Sequence, residues 1–136
     1  ITGDGGLQMN IQELQTVASE KLPVKILIIN NKTLGKISEI QSGSYNKRFM
    51  ITNSISGYTV PDFEKVAKAY GIKAKTLESY KNLDDCKEWL YDNEPCLINI
   101  ILPDDTLLIP KMNWNQKEMV PLLKESVVDK IEELFK

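Results

Sequence analysis

The chain has 136 residues, 42% hydrophobic and 26% charged, with a formal net charge of −2; that length supports one domain with a real core, and the slight acidic balance excludes a nucleic-acid backbone as partner. There is no histidine, and Cys86 and Cys96 stand alone, so zinc-site spacing and a Cys/His catalytic pair are excluded and both cysteines read as reduced thiols in or near a core. No run approaches the roughly 20 apolar residues of a membrane span, and no charged stretch precedes an apolar one at the amino end, which makes a cytoplasmic, membrane-free protein the default.

In chain order, "ITGDGGLQMNIQEL" opens with a strand remnant so short that the chain is expected to be a piece of a longer protein. Ile11, Leu14, Val17 and Ala18 share a helical face, and the helix is expected to start near Asn10. Asn10 and Glu13 form a variant of the capping box, which is favoured over a catalytic Glu13. "PVKILIIN" (23 to 30) is a continuous apolar run that fits a strand buried on both faces, and hence a parallel sheet. Residues 41 to 60 show no sustained period and are expected to form a mobile active-site loop. Phe63, Val66, Ala67 and Tyr70 predict a helix that stops at Gly71, and "IKAKTL" (72 to 77) predicts a more peripheral strand. Leu83, Cys86, Trp89 and Leu90 predict a third helix, with Trp89 in the core, and "CLINIILP" (96 to 103) another buried strand. Asp104 and Asp105 read as a solvated turn. The stretch 103 to 117 is an extended connection, and 118 to 136 form a C-terminal helix of the same domain, which Pro121 can start. Met9, Met112 and Met119 read as packing residues. The alternation is α/β and doubly wound, a three-layer sandwich around a mainly parallel sheet.

Asp4 falls at the carboxyl end of the first strand and Asn30-Asn31 at the carboxyl end of the second. Ligands bind at that edge of open parallel sheets. Gly3 and Gly5 permit a tight turn, and Gly5 with Gly6 lets a ligand approach bare N–H groups. A carboxylate, a carboxamide oxygen and a backbone carbonyl just after Asn31 make a hard-oxygen site of one charge, suited to Mg²⁺ with a phosphate in its shell. Read alone, "DG" is an ordinary turn dipeptide; the spacing to Asn31 outweighs that reading. Asn30 reads equally well as a strand-end fixture or as part of the site.

"GDG" at 3 to 5, residues 6 to 29, then "NN" at 30 and 31 resembles the thiamine diphosphate fingerprint of the diphosphate-binding domain of thiamine-dependent enzymes. "GDGGLQMNIQELQTV", "LPVKILIINNKTLG" and "FEKVAKAYGIK" are similar in order and spacing to the acetolactate synthase-like branch, over roughly residues 1 to 102. The resemblance implies the thiamine diphosphate-binding fold, truncated on its amino-terminal side. It implies Asp4, Asn31 and the Thr33 carbonyl as Mg²⁺ ligands, and Gly3, Asp4, Gly5, Gly6, Asn31, Leu34 and Gly35 as cofactor contacts. The implied activity is decarboxylation or carboligation of a 2-keto acid. The activating glutamate would come from a pyrimidine-binding domain of the parent chain or a neighbouring subunit, in a homodimer or tetramer, so the chain alone is expected to be inactive. After "LG" the acetolactate synthases usually carry a methionine and then a tryptophan, where this chain has Lys36 and Ile40. That departure, with "LIPKMNWN" in the tail, implies another substrate, and Lys36 reads either as a substrate contact or as a surface lysine. The rival readings are a non-catalytic scaffold for subunit pairing and a different phosphate binder, the second opposed by the lack of "GxGxxG" or "GxxxxGK".

Overall fold

The structure is a computed structural model that describes residues 1–107, 109, 111, 112, 119, 120, 124, 126, 127, 130 and 133. It divides into two compact units, Ile1–Thr106 and Leu107–Lys136. In the first, β1 (Thr2–Gly3), β2 (Lys25–Asn30), β3 (Lys73–Leu77) and β4 (Cys96–Ile101) form one parallel sheet in the order β1-β2-β4-β3. "PVKILIIN" and "CLINIILP" therefore supply neighbouring strands, and "IKAKTL" forms an edge, as its weaker apolar character implies.

Strand alternation splits the core into two layers. On one face Ile28, Ala74 and Leu97 pack with Leu7 of α1 (Asp4–Met9), Leu14 of α2 (Leu14–Ser19), and Phe63 and Ala67 of α4 (Phe63–Ala69). On the other, Leu77, Cys96, Ile98 and Ile100 meet Cys86, with Leu83, Trp89 and Leu90 packed around them. Helices, sheet and helical segment make the three layers of an α/β sandwich. Cys86 and Cys96 are buried free thiols, and burial pushes both up.

In the first unit, local structure departs from the sequence reading in several places. A helix that the sequence reading did not expect, α1, begins at Asp4 and is ended by Asn10, whose N–H bonds to Leu7 O at 3.0 Å; the expected helix follows from Ile11 as a 3-10 turn leading into α2. Asn10 makes no capping side-chain bond, and Glu13 instead accepts from the Thr16 hydroxyl at 3.3 Å, so the capping box does not form. Met9 is 80% exposed and packs no core, because the chain turns away at Asn10 before α2 starts. The third helix is a 3-10 helix over Tyr80–Leu90. Finally, α3 (Gly35–Ser44) extends helical structure into the segment expected to be irregular from 41 onward.

In the second unit Lys111–Met112 (β5) pairs antiparallel with Met119–Val120 (β6). The helix expected over 118–136 therefore does not include 119 and 120. Val120 precedes Pro121, whose ring disfavours a helical conformation at the preceding residue. Within 121–136, positions 126, 127, 130 and 133 are helical and 124 is not, and the others lie outside the described residues.

Candidate functional site

Asp4 is placed by the shortest strand in the sheet. Thr2 and Gly3 pair with Ile28 and Ile29 of β2, so the chain leaves β1 at the same edge where β2 ends at Asn30. Asp4 takes the first position of α1 and is only 3% exposed. Its Oδ2 is buried with no hydrogen-bond partner. Burial raises the carboxyl above its ordinary range, opposed by the N–H groups of Gly5, Asp4 itself and Lys32 and by the Tyr58 hydroxyl. A buried carboxyl oxygen without a partner has bonding capacity that a cation could fill.

The turn after β2 faces the same edge. Asn30 is fixed within the sheet: its Nδ2 donates to Asn99 Oδ1 at 3.1 Å, Asn99 Nδ2 donates to Thr76 Oγ1 at 3.3 Å, and its Oδ1 accepts the Lys32 N–H at 3.0 Å. This polar ladder crosses β2, β4 and β3 and makes Asn30 a structural residue. Asn31 Oδ1 accepts the Thr33 N–H at 3.3 Å, which leaves that oxygen a second lone pair. Lys32 adopts a left-handed φ of 54°. Thr33 is buried, and its Oγ1 has no partner.

Two glycines are closely approached by neighbouring side chains. A Cβ on Gly5 would lie 2.7 Å from Leu34 Cδ2 and 3.3 Å from Tyr58 Oη, and one on Gly6 would lie 2.6 Å from Thr2 Oγ1. At Gly35 a Cβ would sit 3.1 Å from Asn31 Nδ2, so this glycine makes room for the Asn31 side chain. Gly3 has only Ile29 O at 4.0 Å and is under no such constraint.

The segment between α3 and α4 is tied to this edge. Leu34 N–H donates to Thr52 O at 2.8 Å, and the buried Thr52 hydroxyl donates to Gln41 Oε1 at 2.8 Å. Gln8 Nε2 donates to Tyr58 Oη at 3.1 Å. A cleft of about 270 Å³ opens beside it, with Thr33, Ser38, Asn53 and Asp104 among its walls. Asp104 and Asp105 form an exposed turn as expected. Lys36 is an exposed side chain paired with Glu39 at 3.4 Å. The sequence reading did not single out Gln8 or Tyr58. Gln8 was findable from its i+4 spacing to Asp4, had the helix been started at Asp4; Tyr58 carries no local signal.

Among the described residues no group of three or more His, Cys, Asp or Glu is placed to hold a metal ion, so a cation at Asp4 would rely on neutral oxygens. No helix among them is long and apolar enough to cross a membrane.

The sequence model of the family described as "Thiamine pyrophosphate enzyme, C-terminal TPP binding domain" matches residues 1–100. The probable acetolactate synthase large subunit of Methanococcus aeolicus is 40% identical over 109 residues, 79% of this chain and 18% of the relative. The acetolactate synthase large subunit of Cyanidium caldarium is 38% identical over 128 residues, 92% of this chain and 22% of the relative. A solved structure, the thiamine diphosphate-dependent 4-hydroxybenzoylformate decarboxylase of Rhodococcus jostii RHA1, superposes with a TM-score of 0.64 at 28% identity, over 76% of this chain and 19% of that one. The chain thus spans about a fifth of the length of the relatives it matches.

Proposed function

Because the chain belongs to the C-terminal TPP-binding domain family of thiamine pyrophosphate enzymes, we propose that it is the diphosphate-binding domain of an acetolactate synthase-like enzyme that decarboxylates or ligates a 2-keto acid. The Asp4 carboxylate, the Asn31 carboxamide oxygen and the Thr33 carbonyl would hold Mg²⁺. Gly3, Gly5, Gly6, Leu34 and Gly35 would line the diphosphate. When bound, thiamine diphosphate supplies the electron sink for breaking the bond beside the keto carbon. This chain's own task is to anchor and orient: one buried carboxylate neutralises part of the metal charge, and the bare backbone at Gly5 and Gly6 admits the anion closely.

The observation that carries the reading is the buried, unpartnered Oδ2 of Asp4. A pyrimidine-binding domain of the parent chain or a neighbouring subunit would complete the site, in a cytoplasmic homodimer or tetramer, and this chain alone would be inactive. The exposed, ion-paired Lys36 supports the surface reading of that lysine over a substrate contact.

Calorimetry of the full-length protein with Mg²⁺ and thiamine diphosphate tests this. Mg²⁺-dependent cofactor binding is expected in the wild type, and its loss in Asp4→Ala. Binding that survives Asp4→Ala, or that never depends on Mg²⁺, overturns the reading in favour of a non-catalytic scaffold.

A further inference from the structure

The proposed ligand set gives Tyr58 no task, yet its hydroxyl touches the site from 50 positions beyond Gln8. Gln8 Nε2 donates to it at 3.1 Å, and a Cβ on Gly5 would lie 3.3 Å from the same oxygen. Gln8 stands one helical turn after Asp4 on α1, so the two side chains share a face. The tyrosine oxygen is thereby held between the residue that follows Asp4 and the residue one turn beyond it.

Donor counting then decides the direction of its proton. The Gln8 amide occupies a lone pair of the phenol oxygen, which leaves the phenol O–H to be donated. The acidic acceptor with which the Tyr58 hydroxyl interacts is the Asp4 carboxyl. A phenol is protonated at neutral pH and so is a donor.

We propose that Tyr58, oriented by Gln8, is a positioning residue for Asp4: its hydroxyl holds one carboxylate oxygen, so that the buried Oδ2 is presented to the cation. The inference rests on the reading of Asp4 as a metal ligand. Backbone N–H groups of Gly5, Asp4 and Lys32 also reach this carboxylate, and Tyr58 adds a side-chain donor to them; outer partners of metal ligands fix their rotation. The arrangement also ties the segment between α3 and α4 to the metal, since that segment reaches the site twice, through the Thr52 carbonyl on Leu34 N–H and through Tyr58 on Gln8.

The test titrates Mg²⁺ by calorimetry into the full-length protein at saturating thiamine diphosphate, for the wild type, Tyr58→Phe, Gln8→Leu and Asp4→Ala, and records the Tm of each metal-free protein. Tyr58→Phe removes one oxygen and leaves the ring in place; it is expected to weaken Mg²⁺ about tenfold with the metal-free Tm unchanged. Gln8→Leu is expected to act in the same direction and less, and the double variant to be no worse than Tyr58→Phe, because Gln8 acts through Tyr58. Mg²⁺ affinity within about twofold of wild type in Tyr58→Phe, or a loss accompanied by a fall in the metal-free Tm, overturns the proposal. If Asp4→Ala abolishes binding while Tyr58→Phe is neutral, only the role of Tyr58 is lost; if Asp4→Ala is itself neutral, the ligand reading beneath it fails.

Discussion

The two edges of the parallel sheet treat their polar groups in opposite ways. At the amino edge, Lys25 and Lys73 begin the strands on either side of β4, and Asp92, in the turn leading into β4, accepts from both, from Lys25 at 2.6 Å. Glu94 adds a contact to Lys73 at 3.6 Å, and Lys73 Nζ lies 5.3 Å from the centre of the Trp89 ring. The lysine partners hold the Asp92 carboxyl well below the usual carboxylate range. At the carboxyl edge the Asp4 carboxyl is instead raised by burial, and Asp4 Oδ2 and Thr33 Oγ1 have no partner. Cavity size alone would select the other edge, away from the proposed site. The larger cleft, about 480 Å³, lies at the amino edge beside Lys21, Lys73 and Glu94, where Lys73 and Glu94 already pair with each other. Unfilled hydrogen-bonding capacity, not empty volume, is what sets apart the edge proposed to bind the cofactor.

The sharpest way to break this contrast is to delete its two ends. Asp4→Ala is expected to weaken Mg²⁺-dependent cofactor binding by more than about a hundredfold, while the melting temperature of the metal-free protein stays level or rises, since a desolvated carboxylate with an unpaired oxygen is removed. A clear drop in that melting temperature would make Asp4 a structural residue, and the two edges alike.

Next in size is the polar ladder that closes the sheet just beneath the site. Asn99→Ala strands the buried Asn30 amide and is expected to cost about 1–3 kcal/mol, read by denaturant unfolding. A neutral result would mean that Asn30 finds another partner and is not held by the sheet.

A smaller effect with a pH signature belongs to the amino edge. Because the folded-state pKa of Asp92 is depressed, its stabilisation is present above the unfolded carboxyl pKa of about 3.9 and is lost as pH falls toward the folded value. Asp92→Asn should therefore melt below the wild type at pH 7, and the gap should narrow below about pH 4. A gap that is constant with pH would assign the effect to packing. Salt should also narrow it, because Asp92 is partly exposed.

The smallest expected change is at Ile51, a β-branched residue with φ of 53° and a 65% exposed side chain. Ile51→Gly relieves left-handed strain of about 1–2 kcal/mol, offset in part by the added freedom of the unfolded chain. A net gain of no more than about 1 kcal/mol is expected in thermal unfolding. A loss would show that the Ile51 side chain contributes packing to the segment that carries Tyr58.

Much of this molecule was legible in one dimension. The continuous apolar runs at 23 to 30 and 96 to 103 marked neighbouring parallel strands; β4 is buried on both faces as expected, but β2 is not, since Ile29 is 37% exposed. The period of Ile11, Leu14, Val17 and Ala18 and that of Phe63, Val66, Ala67 and Tyr70 marked helices whose inner faces are now seen in one core layer. "GDG" and "NN" marked the ends of β1 and β2, and hence the edge they share. What the sequence could not carry were partners chosen by strand order. Asp92 sits between Lys25 and Lys73 only because β4 is inserted between β2 and β3. Asn30 became structural only because Asn99 and Thr76 arrive beside it across the same three strands. Tyr58 reached Gln8 only because Thr52 anchors its segment on Leu34. Periodicity reports which side of an element is buried, a local property of the backbone repeat. The identity of a polar partner dozens of positions away depends on how the elements are ordered in space, and that was decided by the packing of the sheet and its layers.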